Sequence, residues 1–458
     1  MCEPLRPLST AQRLVRLAAA AALVALVAYA APARARTKVR GVAEGSIAAT
    51  DNVSSSPDNP PPTVPPRESD VYAILSPGIV LASLHPAEMH RLTYTYGASL
   101  YLLHSEASSF SNRLEYLGRF DTGQRTELTL GAHATQAHHN AENDVGAATA
   151  TAVNAAFPGT GAFLLTGADE LLDHSLSPEW RATQFADVTL QMPIRTGSGA
   201  PTTYEVGGGL GIDREWMADA LGMEGSTRYA LILNGRTLAG ETVDAQSQFI
   251  NKLIGRWRHD YGEYFTSRFE AGVVQVARPG RGSQFWNPAG TAAVAYVRED
   301  GDVELWYSHD VRTSLFLGQT FLIDEVRLRG ALPITEHDDV VISSSAGYQH
   351  NQVIDLDGSL SATVQVFVVD AAIAWLATDS LAFSLRYQHI DQASTNDQPQ
   401  LPLSFVRNNV MLGARYEFPP DKEMPRAYRA PRRVDRADEI EDAFEMPATA
   451  PSAPGPIQ

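Results

Sequence analysis

The chain has 458 residues, a formal charge of −17 and a pI near 5.1; charged residues are only 19% of it, and Cys2 is the single cysteine. An acidic chain with no dense Lys/Arg cluster argues against a nucleic-acid binder, and one cysteine excludes a disulfide framework, an iron–sulfur site or a Cys-rich zinc site. A hydrophobic content of 44% at a mean hydropathy of −0.17 excludes both a bundle of membrane helices and a wholly disordered chain.

Residues 1–35 have the form of a secretory signal peptide. Arg13 and Arg16 precede an apolar stretch at 17–30, and the small-residue exits Ala28-Tyr29-Ala30 and Ala33-Arg34-Ala35 follow. The stretch is shorter than the ~20 residues a spanning helix needs; the alternative is an uncleaved anchor helix. Cys2 lies before the apolar core, so it is not placed for lipoprotein processing. Residues 36–69, with Pro60-Pro61-Pro62 and Pro65-Pro66, read as a disordered, Pro-rich linker. Residues 419–458 read as a solvated, disordered tail, with 434–445 as a mixed-charge stretch that has the makings of one short helix.

Between linker and tail, residues 70–418 alternate apolar and polar over segments of about 9–14 residues. In 92–102, Leu92, Tyr94, Tyr96, Ala98, Leu100 and Leu102 share one face, and Thr93, Thr95, Gly97, Ser99 and Tyr101 the other. The same alternation runs through 340–348, 381–387 and 410–418. A period of two puts each set on one side of a sheet. Soluble sandwich strands average about 5–6 residues, and these are about the length that crosses a bilayer at a tilt. Polar faces that carry Arg268, Glu270, Arg386 and Arg415 in mid-strand fit a wet lumen.

Turn chemistry separates sixteen expected strands: 90–103, 110–120, 124–137, 162–173, 180–193, 203–216, 227–237, 246–258, 264–277, 288–298, 302–311, 321–333, 339–349, 362–377, 380–390 and 406–418. Short turns fall on one side and long loops on the other. Residues 71–83 also look like a strand, which spoils the even count unless another strand exists, so the range is 14 to 18. The connection near 217–226 is long for a turn, and the one near 238–245 is short for a loop. Asp370 shares a face with Val364, Val366 and Val368, a misfit that suggests a bulge or strand end. The expected fold is an all-β, up-and-down transmembrane barrel of about sixteen strands, closed because no open edge survives in lipid and wide enough for a channel unless loops fill it.

The final strand, Arg407-Asn408-Asn409-Val410-Met411-Leu412-Gly413-Ala414-Arg415-Tyr416-Glu417-Phe418, resembles the terminal strand of bacterial outer-membrane β-barrel proteins of the porin-like kind, and the resemblance covers 90–418. It implies that Phe418 is the aromatic signal read by the barrel-assembly machinery, although the chain continues for about forty residues beyond it, unlike that pattern. The turns Leu176-Ser177-Pro178-Glu179-Trp180 and Trp257-Arg258-His259-Asp260-Tyr261 are similar to those of uncharacterised outer-membrane barrels, and some barrels of this look serve in surface-polysaccharide secretion. The implied location is the outer membrane with both termini periplasmic. The implied partners are its lipids, the assembly machinery and a periplasmic export protein reached through 36–69 or 434–445.

Other residue groups have plainer readings. His133, His138, His139, Glu142 and Asp144 cluster around one long loop, but adjacent histidines point apart in an extended chain, so a hydrated loop is favoured over a metal site. Asp355-Leu356-Asp357-Gly358 and Asp300-Gly301-Asp302 resemble calcium-loop fragments without a distal Glu, and turn chemistry explains both. Gly207-Gly208-Gly209-Leu210-Gly211 lacks the strand–helix context of a phosphate loop and reads as a strand of close approach. No spacing singles out a Ser/His/Asp triad, so no enzyme activity and no cofactor are expected. Tyr94, Tyr96, Trp306, Tyr307, Tyr348, Trp375, Tyr387 and Tyr416 are candidates for interfacial girdles. Arg91, Arg268, Glu270, Arg386, Arg415 and Glu417 are expected to face the lumen and set charge preference. The leading expectation is a pore or conduit for polar solutes. The alternatives are a secretion partner and a structural or adhesion barrel whose lumen is plugged through 138–160.

Overall fold

The computed structural model describes residues 36–58, 60, 66–85, 87–123, 125–138, 162–194, 201–236, 242–279, 282, 284–298, 301–315, 318–335, 339–355, 357–395 and 404–419. The signal-peptide reading and the tail beyond 419 lie outside them.

Eighteen strands form one closed antiparallel sheet. They are β1 (Arg36–Thr50), β2 (Asp70–His85), β3 (Glu88–Tyr101), β4 (Ser109–Gly123), β5 (Thr126–His138), β6 (Ala162–Ser175), β7 (Trp180–Pro193), β8 (Thr202–Trp216) and β9 (Asp219–Arg236). β10 (Thr242–Asp260), β11 (Phe265–Ala277), β12 (Gln284–Arg298), β13 (Gly301–Ser314), β14 (Gln319–Pro333), β15 (Val340–Ile354), β16 (Leu360–Thr378), β17 (Leu381–Ser394) and β18 (Phe405–Phe418) complete it. Each strand pairs with its sequence neighbours, and β1 closes the ring on β18, from Gly41↔Phe418 to Thr50↔Asn409.

All sixteen expected strands are present, as β3 to β18. The linker reading of 36–69 is corrected, and with it the start of the barrel at 70: β1 occupies 36–50 and pairs on both edges. It is the partner that the strand at 71–83 required, so the count is eighteen and even. The turn after β8 is only Met217–Ala218, because β9 begins at Asp219 rather than 227. Short turns therefore mark one end of the barrel, together with both ends of the sheet-forming chain; the loops mark the other.

Alternation decides which side meets what. On β18, Val410, Leu412, Tyr416 and Phe418 are 46–62% exposed, while Arg407 and Asn409 on the opposite face are buried. The same outer parity gives Leu305 and Tyr307 on β13, Leu328 on β14 and Leu385 and Tyr387 on β17, all exposed. Apolar side chains facing outward all around a closed ladder are what a hydrocarbon environment selects. Near the turn end the outer wall carries Trp180 and Trp216, each 5.8 Å from the Arg214 guanidinium, and the stacked pair Trp375–Phe383. Further up, the hydroxyls of Tyr94, Tyr307 and Tyr387 donate to Asn112, Asp324 and Asn408. These aromatics all lie on the outer wall. Trp306 does not belong to them: it faces inward, with Arg327 5.4 Å from its ring.

Asp370 marks no bulge. The β16 register runs unbroken past it, and it points inward on the same face as Val364, Val366 and Val368. Those valines face a core inside the barrel, so a carboxylate on their face needs no bulge.

Candidate functional site: a charged lumen beneath an inturned hairpin

The inner core is built by the loop end of β13–β14. β13 stays in the wall from Gly301 to His309, then leaves β12 while remaining paired with β14 as far as Ser314↔Gln319. The tip of this hairpin crosses the lumen. The Leu315 carbonyl accepts a hydrogen bond from Thr203 Oγ1 on β8 (3.0 Å), and Leu315 packs on Ala137, Phe163 and Leu165 of β5 and β6. Gln248 on β10 donates to Thr313 and Thr320.

Both faces of the hairpin are covered. Phe321 and Ile323 pack with Val353, Val364, Val366, Ile390 and Phe405 from β15 to β18. Val311 and Leu322, with Ile354, pack on Ile250, Val274, Val276 and Ala289 from β10 to β12. Phe321, Leu322 and Ile323 are consecutive. Three buried apolar residues in a row are possible only where both faces of a strand are dry.

Two loops fill the remaining sector. Val53 and Ala107 pack on Ala48, Tyr72 and Tyr101. Asn52 is fully buried and donates from Nδ2 to the carbonyls of Ser56 (2.7 Å) and Val406 (2.8 Å). Arg407 donates to Ser55 Oγ. Around the ring at this height, Ala48, Tyr72, Ser99, Ser111, Thr135, Leu165, Gln191, Thr203, Ile232, Gln248, Val274, Ala289, Asn351, Val364, Gln392 and Asn409 are each at most 5% exposed. Among the described residues, the loop end of the lumen is filled.

Below the hairpin the lumen is wet and charged. A cavity of about 470 Å³ is walled by β6 to β14, with Val311, Arg312 and Thr313 among its lining residues. Its walls alternate sign. Arg181 pairs with Asp173 (2.8 Å), Arg228 with Asp187 (3.0 Å), and Arg256 with Asp213 (2.6 Å) and Glu224 (2.9 Å). Arg268 pairs with Glu270 (2.5 Å) and Arg329 with Glu304 (2.5 Å). Lys252 on β10 reaches Asp310 on β13 at 2.5 Å and so tethers the base of the hairpin across the cavity. Beyond the cavity the pairing continues with Arg386–Asp370 (2.6 Å), Arg40–Glu417 (2.7 Å) and Arg415–Glu417 (3.3 Å).

Of the residues singled out from sequence, Arg268 and Glu270 line this cavity. Arg386 lies on the inner face of β17 against Asp370, and Arg415 and Glu417 lie together on β18. Arg91 shares the field of Arg40, Arg415, Glu115 and Glu417. Arg40, on β1 within the stretch expected as linker, joins them through Glu417. Phe418 ends β18, 62% exposed on the outer wall. His133 faces inward on β5, opposite Glu115 and Gly167 on its neighbours. His139, Glu142 and Asp144 lie outside the described residues, as does the side chain of His138 and nearly all of the 138–160 segment. At 355–359, Asp357 Oδ1 accepts bonds from Ser359 N (2.9 Å) and Oγ (2.7 Å), which is turn chemistry. The glycines of 207–211 lie in β8, and a side chain on Gly209 would collide with the Phe185 ring.

One clamp at the loop end titrates. His104 lies between Glu68 (2.5 Å) and Asp70 (3.0 Å), and the Asp70 hydrogen bond, then Glu68, holds its pKa above the usual imidazole value. A raised folded pKa means that the stabilisation is complete below the unfolded value of about 6.5 and is lost as pH rises through the folded value. The Val53 amide donates to the Glu68 carbonyl (3.0 Å). Its exchange protection, corrected for intrinsic rate, should therefore fall as pH rises above about 6.5 and through the raised folded value. His104→Gln should flatten that dependence.

No protein-family model matches this chain, and no curated protein sequence does. Solved structures align along most of the chain. A crystal structure of Pseudomonas aeruginosa OccK2 (OpdF) in complex with glucuronate aligns at TM-score 0.44 and 10% identity, covering 83% of this chain and 98% of that one. Acinetobacter baumannii OccAB3 aligns at TM-score 0.43 and 10% identity, covering 83% and 99%. The siderophore receptor PirA from Pseudomonas aeruginosa aligns at TM-score 0.43 and 8% identity, covering 84% and 81%.

Proposed function

We propose that the protein is an outer-membrane barrel for the passage of polar solutes, with its turn end in the periplasm and its lumen closed at the outer end by the β13–β14 hairpin. The observation that supports this most is the cavity below the hairpin. An interior lined by ion pairs of alternating sign beside an open cavity offers hydrated, charged solutes a polar path that a fully packed lumen does not. The apolar faces of the hairpin indicate how firmly it is closed. Val311, Phe321, Leu322 and Ile323 at ~1.5–3 kcal/mol each give an upper bound of about 6–12 kcal/mol on its closure. A population of one open molecule in a thousand corresponds to about 4.1 kcal/mol, so the hairpin is expected to rest closed and to open when these contacts are weakened.

Planar-bilayer recording tests this reading. Wild-type protein is expected to be nearly silent, and a variant with residues 312–320 replaced by a two-residue turn is expected to conduct steadily. A folded variant that stays silent would favour the second reading, a structural barrel with a permanently filled lumen, which the ring of buried inner side chains supports.

A further inference from the structure

The wall of the barrel is not continuous everywhere. β12 and β13 are paired from Arg298↔Gly301 up to Gly290↔His309, and the ladder stops there. β11 keeps β12 paired on its other edge up to Gln284. Residues 284–289 thus form an edge with no strand partner on the β13 side among the described residues. Pro288 sits within it, and proline belongs where a ladder bond is not required. Above the break the two sheets overlap instead of joining. Val311 and Leu322, on the outward parity of their strands, lie against the inner face of β10–β12. Asn287, on the inward parity of β12, contacts His309, on the outward parity of β13.

The overlap has two mouths. On the lumen side, the cavity reaches Ile250, Ala289, Gly290, His309 and Val311. On the outer side lie Trp286 (60% exposed) and Tyr307, with His309 held to Asp324 at 2.6 Å. An unpaired edge is costly where water does not reach it, and this edge adjoins the cavity wall at Ala289 and Gly290.

We propose that this overlap is a lateral portal between the lumen and the bilayer, and that its ligand is an amphipathic molecule with an acyl chain. The chemistry of the two mouths sets the class. The overlap itself is lined by Ile250, Val274, Val276, Ala289, Val311 and Leu322, where a polar solute would lose its hydration with nothing in return and a methylene chain loses nothing. The head group stays with the ion-paired cavity on one side, or with the His309–Asp324–Tyr307 cluster on the other. The portal is formed by the Val311–Leu322 face of the hairpin and so rests on the hairpin reading above; labelling of that face and bilayer conduction are separate readouts, and either can fail alone.

Photolabelling tests it on the wild-type chain. The protein is reconstituted in vesicles containing a phospholipid with a diazirine near the acyl terminus, irradiated, and digested for mass spectrometry. Outer-wall residues such as Leu305 and Leu328 will be labelled in any case. The portal requires adducts on Val311 and Leu322 as well, which are only 2% and 5% exposed. Stapling Asn287→Cys to His309→Cys with a short bis-maleimide, in a Cys2→Ser background, should remove those adducts and leave the outer-wall ones. Adducts confined to the outer wall, or adducts on Val311 that survive the staple, would overturn the proposal.

Discussion

Phe321→Ala should loosen the hairpin without dissolving the barrel. Phe321 is fully buried among Val353, Val364, Val366, Ile390 and Phe405, and truncating a buried phenylalanine costs about 3–5 kcal/mol through lost burial and the cavity left behind. The loss falls on the hairpin, whose remaining anchors are the Leu322 face, Leu315 against Ala137, Phe163 and Leu165, the Lys252–Asp310 pair and a few polar bonds at the tip. Two measurements separate a loosened hairpin from a damaged wall. Trypsin should begin to cleave after Arg312, which lies on the hairpin. The slow, heat-sensitive gel mobility of a folded barrel should persist. Bilayer current should change from near silence to brief openings, short of the steady conduction expected when 312–320 is removed. Val303→Ala, on the outer wall of the same strand pair, should leave both cleavage and current unchanged. If Phe321→Ala exposes Arg312 and the current stays silent, the hairpin is a core element and the solute passage lies elsewhere.

The hairpin was written in the sequence in a form that alternation analysis discards. The run Phe321-Leu322-Ile323 breaks the period of two, and so does Val353-Ile354. In a barrel that meets lipid outside and water inside, such a break has one reading: the inner face is dry too. Asp370 carried the same information. Its place beside Val364, Val366 and Val368 fits a covered inner face, where a carboxylate needs a partner, and Arg386 supplies it. β1 was hidden for a different reason. Its outward residues Thr37, Val39, Gly41, Ala43, Gly45, Ile47 and Ala49 are mostly small, so the strand lacks the bulky stripe that marks the others, and the prolines just beyond it gave the whole stretch the look of a linker. Parity was the recoverable clue, since a closed antiparallel ring needs an even number of strands and 71–83 made seventeen. Alternation alone puts Arg268 and Glu270 on one face of β11, and Arg415 and Glu417 on one face of β18. A pair across non-adjacent strands, Lys252 with Asp310, is not legible that way, because it exists only where β13 leaves the wall.

The second large effect concerns that partner of Asp370. Arg386 Nε lies 2.6 Å from Asp370 Oδ2, and the two side chains are 13% and 6% exposed. Arg386→Met should destabilise the folded barrel by about 3–5 kcal/mol, because it strands a carboxylate beneath the Val364–Val366 core where water does not replace the guanidinium. Asp370→Leu alone strands the cation instead, but Arg386 has a long stem that lets its head turn down toward the wet lumen, so the smaller loss is expected there. The double variant Asp370→Leu/Arg386→Met should recover most of the stability, since two apolar groups in contact with that core have no charge left to satisfy. Urea titration of folding into vesicles measures all three. The order Arg386→Met worst, Asp370→Leu intermediate and double variant near wild type identifies a pair whose charges compensate each other. Equal losses in all three would mean that the carboxylate and guanidinium hold β16 and β17 through packing. Pairs bordering the open cavity, such as Arg268–Glu270, should respond far less to the same treatment, because water reaches a stranded charge there. The contrast between the two sites would map where the dry plug ends and the wet lumen begins.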